Sequence, residues 1–140
     1  MFSRFQKIDV LINNAGYGLW GPVGELSINE IKRQFETNFF AAVRMINAVL
    51  PSMIERRSGS IINVSAVLGR LGTPFNGAYT SSKFALEGIS ESIRTEVKPF
   101  GVRVSLVEPG WFQTNFQNNM MSSQRTELGV SQYSDYIARY

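Results

Sequence analysis

The chain has 140 residues, 44% of them apolar and 18% charged, with a formal net charge of +3. That supports one hydrophobic core, and no stretch reads as a linker, so one domain over residues 1–140 is expected. The absence of cysteine and histidine excludes disulfides, a thiol nucleophile, a zinc–thiolate centre and a Ser-His-Asp triad.

Basic residues are scattered rather than clustered, so no nucleic-acid partner is indicated. No apolar run is long enough for a membrane span, and Met1 to Lys7 lacks the apolar core of a signal peptide. A soluble, cytoplasmic protein without a metal site is the expectation.

In chain order, Ile8 to Asn13 is the first predicted strand. It is β-branched without strict alternation, as are Ser60 to Ser65 and Val102 to Glu108, the pattern of parallel strands buried on both faces. Gly16-Tyr17-Gly18-Leu19-Trp20-Gly21 follows and matches G-x-G-x-x-G. In a dinucleotide fingerprint, however, the glycines open a helix whose N-terminus holds the pyrophosphate. Here Pro22 intervenes, and the next helix starts at Ser27-Ile28-Asn29-Glu30, a capping box. The segment therefore reads as a loop at the carboxyl end of a strand, where open α/β sheets place ligands.

The first helix is predicted from Ile28 to about Arg56, with apolar residues at helical spacing and Pro51 as a kink or break. Inside it, Asn38 sits among phenylalanines, either a buried amide bonded to backbone or part of a site. The second helix is predicted from about Gly77 to Val97, stopping before Pro99-Phe100-Gly101. It carries Tyr79 and Lys83, an i, i+4 pair on one face. A phenol with an ordinary pKa near ~10 is a poor proton carrier at neutral pH, and an adjacent ammonium favours phenolate. Tyr79 would then serve as a general acid/base. An amphipathic helix with a surface lysine gives the same spacing, so the pair needs support from its neighbours. The alternation strand, helix, strand, helix, strand is half of a doubly wound α/β sheet with right-handed crossovers.

That support comes from four motifs in order: Asn13-Asn14-Ala15-Gly16, Gly59 to Ser65, Tyr79 with Lys83, and Pro109-Gly110 after the third strand. Together they resemble the central and later part of the short-chain dehydrogenase/reductase family, from about Ile8 to Thr114. Phe75-Asn76 and Phe84-Ala85-Leu86-Glu87-Gly88 are similar to its hydroxysteroid and retinol dehydrogenase branch. The resemblance implies a partial Rossmann-like fold and NAD(P)-dependent interconversion of an alcohol and a carbonyl, with the choice between NAD and NADP and an apolar substrate left open. It implies that Tyr79 exchanges the proton and that Lys83 lowers its pKa and binds the nicotinamide ribose. Asn38 would support the proton relay through a water, Asn14 would tie strands and contact the ribose, and Pro109, Gly110 and Thr114 would reach the nicotinamide carboxamide.

Two departures from the family pattern stand out. The family's catalytic serine falls at Ala66, so Ser65, one residue earlier, is the candidate donor, although strand alternation aims it at the opposite face. The family's glycine-rich loop has no counterpart in the chain, which reads as a fragment with weak dinucleotide binding of its own. The competing reading is a non-catalytic fragment or pseudoenzyme acting as an oligomerisation module. A homo-oligomer is expected in either case, its helices packing through small residues at Ala78, Ser82, Ala85 and Ser92. From Asn115 to Tyr140 no persistent strand pattern is seen, and a mobile lid is the expectation.

Overall fold

The structure, a computed structural model, describes residues 7–139. Most of the N-terminal segment read for a signal peptide, Met1 to Gln6, lies outside the described residues. Along the chain come β1 (Val10–Asn13), β2 (Leu19–Trp20), α1 (Ile28–Phe35), α2 (Ala41–Glu55), β3 (Gly59–Val64), α3 (Gly77–Val97), β4 (Val102–Val107), β5 (Met121–Ser122), α4 (Gln124–Glu127) and α5 (Ser134–Ile137). The fold is α/β, with a parallel sheet in the order β1-β3-β4. α3 has the predicted bounds, and each main strand ends within two residues of its expected position.

Apolar side chains on one sheet face, Leu11, Ile61, Val102 and Val104, meet Ile46, Val49 and Met53 of α2 and Ile93 and Val97 of α3. The opposite face is open, with Val10 51%, Ile12 59% and Val107 46% exposed. This corrects the expectation of strands buried on both faces: among the described residues both long helices pack on the same side. The strand ends are tied by polar groups instead. Asn13 Nδ2 donates to Asn63 Oδ1 at 2.8 Å, and Asn63 Nδ2 donates to Ser90 Oγ of α3 at 2.7 Å.

The capping box forms as read. Ser27 Oγ accepts from the Glu30 amide at 3.2 Å, and Glu30 Oε2 accepts from the Ser27 amide at 2.7 Å. The irregularity in the long helix is not at Pro51, which α2 passes through near its C-terminal end with an exposed ring. It is a π-turn at Glu36–Phe40, where the widened backbone carries Asn38 inward. The carboxyl-terminal stretch docks back on the domain: β5 pairs with β2, Gln124 N donates to Glu30 Oε1 at 2.9 Å, and the Tyr136 ring packs edge-on against Phe75.

Gly101 closes the turn from α3 into β4 at φ +71°, and a Cβ there would stand 2.6 Å from the Arg57 carbonyl oxygen. Left-handed backbone costs an L-residue ~1–2 kcal/mol, and the blocked approach adds to it. Gly101→Ala is expected to lower the melting temperature by roughly 5–10 °C. An unchanged melt would show that this turn yields without cost.

Candidate active site

Tyr79 and Lys83 lie in the first two turns of α3, just beyond the carboxyl end of β3. Both are buried, at 9% and 5% exposure. Lys83 Nζ donates to the Val64 carbonyl, the last residue of β3, at 2.8 Å and lies 5.8 Å from the Tyr79 ring centroid. Asn38 approaches from the π-turn. Its Oδ1 accepts from the Tyr17 amide at 3.1 Å, and its Nδ2 donates to the Tyr17 carbonyl at 3.0 Å and to Ser82 Oγ at 3.1 Å.

The loop after β1 closes the group. A Cβ on Gly16 would stand 3.1 Å from Asn38 Oδ1 and 3.6 Å from Lys83 Nζ, so a bare glycine lets the backbone approach both. The G-x-G-x-x-G stretch opens no helix: Leu19 and Trp20 form β2, and α1 begins at Ile28.

Charge is handled differently from expectation. Burial raises the Tyr79 phenol above its ordinary 10, and burial pushes Lys83 down to about 8, with Glu87 working in the opposite direction. The expected depression of the phenol by Lys83 is absent, because desolvation of the ring dominates and also weakens the lysine's charge.

The other predicted residues divide into two groups. Asn14 is exposed just beyond β1, and the strand tie expected of it is made by Asn13. Pro109 is half-buried and its carbonyl accepts from the Val67 amide at 3.2 Å, which brings the Pro109-Gly110 segment to the loop after β3. Thr114 is exposed, its Oγ1 accepting from the Phe116 amide. Ser65 Oγ is buried and has no hydrogen-bond partner among the described residues, and a Cβ on Gly69 would stand 2.5 Å from it. Two of the small residues expected at an interface, Ala78 and Ser82, face the interior instead; Ser82 Oγ donates to the Tyr79 carbonyl at 2.7 Å.

Sequence reasoning missed Phe116, whose ring lies 5.7 Å from that of Tyr79, and the ion cluster of Arg70 with Glu87, Glu91 and Glu108. The i, i+4 continuation from Lys83 to Glu87 was a signal for the second. Phe116 had none, because it reaches Tyr79 from 37 residues away in sequence.

The short chain dehydrogenase family model matches residues 1–125. Retinol dehydrogenase 8 of Bos taurus is 48% identical over 120 residues, 86% of this chain and 38% of that protein. The 3-ketodihydrosphingosine reductase of Bacteroides thetaiotaomicron is 46% identical over 139 residues, 99% of this chain and 51% of that protein. The chain thus spans about half the length, or less, of these curated relatives. A short-chain dehydrogenase structure from Streptomyces avermitilis superposes with TM-score 0.83 at 41% identity, covering 88% of this chain and 47% of that one. A metagenomic short-chain oxidoreductase in complex with NADP gives TM-score 0.74 at 36% identity, over 80% of this chain and 50% of that one. NAD+-bound xylitol dehydrogenase gives 0.78 at 32%, over 83% and 45%. With the matched span containing the parallel sheet and the Asn38, Tyr79 and Lys83 group alike, the chain belongs to the short-chain dehydrogenase family of oxidoreductases.

Proposed function

We propose that the protein interconverts an alcohol and a carbonyl with a nicotinamide dinucleotide, Tyr79 exchanging the proton at the substrate oxygen. The observation that carries this reading is the buried Tyr79–Lys83 pair at the carboxyl end of a parallel strand, where α/β sheets bind ligands. A phenol raised by burial is fully protonated at neutral pH, so it can donate to a carbonyl oxygen during reduction. Asn38 holds Gly16-Tyr17 and Ser82 around the pair.

The residues fit a nicotinamide cofactor. Gly16 brings the loop after β1 against Asn38 and Lys83, and Asn14, Gly110 and Thr114 present exposed groups at or beyond the ends of β1 and β4. Asn14, Tyr79, Lys83, Pro109, Gly110 and Thr114 would hold its nicotinamide half, which supplies or accepts the hydride. NADP and NAD are both bound by solved relatives.

An apolar substrate body is supported by Phe116 over Tyr79 and by the exposed Trp111 and Phe112. The names of the two curated relatives, a retinol dehydrogenase and a ketodihydrosphingosine reductase, point the same way. Rates on long-chain and short-chain carbonyls test it: equal kcat/KM for both would reject the apolar preference. The Tyr79 assignment is tested by substitution, as argued below.

Ser65 has its hydroxyl turned toward Gly69, and Ala66 has none. Ser65→Ala is accordingly expected to change turnover by no more than a few-fold, while Ala66→Ser raises it, since one added donor to a developing oxyanion is worth on the order of a hundredfold in other enzymes. A severe Ser65→Ala with a neutral Ala66→Ser would show that Ser65 is the donor.

The open sheet face and the exposed Phe40, Met45 and Phe84 favour self-association. Sedimentation is expected to show dimers or larger species, and a monomer at high concentration would contradict this.

A further inference from the structure

Gln34, in the last turn of α1, is fully buried, and Asn38, at i+4 in the π-turn, is nearly so. Gln34 Oε1 accepts from the Leu19 amide at 2.7 Å, and its Nε2 donates to the Tyr17 carbonyl at 2.8 Å. Asn38 bonds the same stretch through the Tyr17 amide and carbonyl. Two carboxamides thus hold three backbone groups of Tyr17 and Leu19. A buried carboxamide is costly unless both of its ends are paired, and here both are. The demand on residue type is narrow. Meeting a carbonyl and a neighbouring amide takes a side chain that donates and accepts at once, which excludes an ionised glutamate, a lysine and any apolar residue. The stretch so held faces the site on both sides. A Cβ on Gly16 would stand 3.6 Å from Lys83 Nζ, and one on Gly18 would stand 3.5 Å from the Phe116 ring, which itself packs on Tyr79.

We propose that Gln34 is a positioning residue: its carboxamide fixes the backbone from Tyr17 to Leu19, so that Gly16 stays against Lys83 and Gly18 against the Phe116 ring over Tyr79. The proposal rests on the reading of Tyr79 and Lys83 given above and adds a residue that acts through the loop after β1 rather than on the reacting atoms. Asn38 does not replace it. Without Gln34 the Leu19 amide loses its acceptor, so the loop keeps its anchor at Tyr17 and loses the one beyond Gly18. A loop held at one point swings about it, and both of its contacts with the site move together.

The test is NMR at fixed pH on the chain labelled with 15N and with 13C at lysine Cε, the Lys83 signal being assigned by its loss in Lys83→Met. Gln34→Met keeps the length of the side chain and removes its donor and its acceptor. In this variant exchange of the Leu19 amide is expected to quicken by roughly tenfold or more, while the Ile61 and Ile62 amides of the central strand keep the parent's rates. The Lys83 Cε signal is expected to shift, which a role confined to packing would not bring about. A Lys83 signal left in place, whether or not the Leu19 amide is freed, overturns the proposal. Should Gln34→Met not fold, the unmodified chain decides. A carboxamide proton of Gln34 is expected to exchange roughly tenfold or more slowly than those of the exposed Gln113 and Gln117, and equal rates overturn the proposal. No turnover is needed, so a Tyr79→Phe protein that stays active would remove the catalytic reading and leave this result standing.

Discussion

In a reconstructed full-length protein carrying this chain, replacing Tyr79 with phenylalanine is expected to cut turnover by roughly 10²- to 10⁴-fold, the usual worth of a positioned general acid. The ring, buried between α3 and Phe116, is kept, and the lost hydroxyl has no hydrogen bond within the described chain. Stability should therefore change little. Binding of substrate and cofactor should also be nearly preserved, so the loss falls on kcat and on kcat/KM together. Initial rates paired with a thermal melt check this. Full activity in the variant would reject the tyrosine mechanism, whereas loss of activity with loss of fold would point to a packing role.

Lys83→Met is expected to impair function and to change the pH dependence of stability. The folded chain holds Lys83 at about 8 against an ordinary 10.5, so between those values the unfolded state binds more protons than the native one. Stability of the parent should then rise with pH from about 8 toward 10, below the titration of Tyr79. The penalty is fully present below about 8 and amounts to on the order of 3 kcal/mol at ~1.4 kcal/mol per pH unit. Lys83→Met removes it but leaves the Val64 carbonyl unpaired, which costs about 1–3 kcal/mol. At pH 7 the two nearly offset, and the difference appears in the slope. Urea unfolding at pH 7, 8, 9 and 10 should show a rising curve for the parent and a flat one for the variant. Parallel curves would mean that Lys83 is solvated in the native state. In the reconstructed full-length protein, cofactor affinity and turnover should both fall in the variant, a joint loss that Tyr79→Phe does not share.

Several of these features were legible because their causes are local. The Ser27–Glu30 capping box, the β-branched strands and the stop at Pro99 act within a few residues of where they are read. The Tyr79 to Lys83 spacing, together with three ordered motifs, pointed to the family without any knowledge of packing. The π-turn at Asn38 was not legible, since a widened turn is selected by what its side chain meets, here Tyr17 and Ser82.

By itself, then, the sequence determined the order of the three main strands and the two long helical stretches, the α/β class, the family and the residues able to carry proton chemistry; β2, β5 and the two short C-terminal helices were not read from it. Only the tertiary structure decided which sheet face is covered, that Asn13 rather than Asn14 ties the strands, and that Ser65 turns toward Gly69. It also decided the direction of the Tyr79 and Lys83 shifts and the Arg70–Glu87 contact. The physical reason is range. Backbone propensity and capping are set by neighbours in the chain, whereas desolvation and Coulomb energy depend on what packs within a few ångströms, supplied here by segments far apart in sequence.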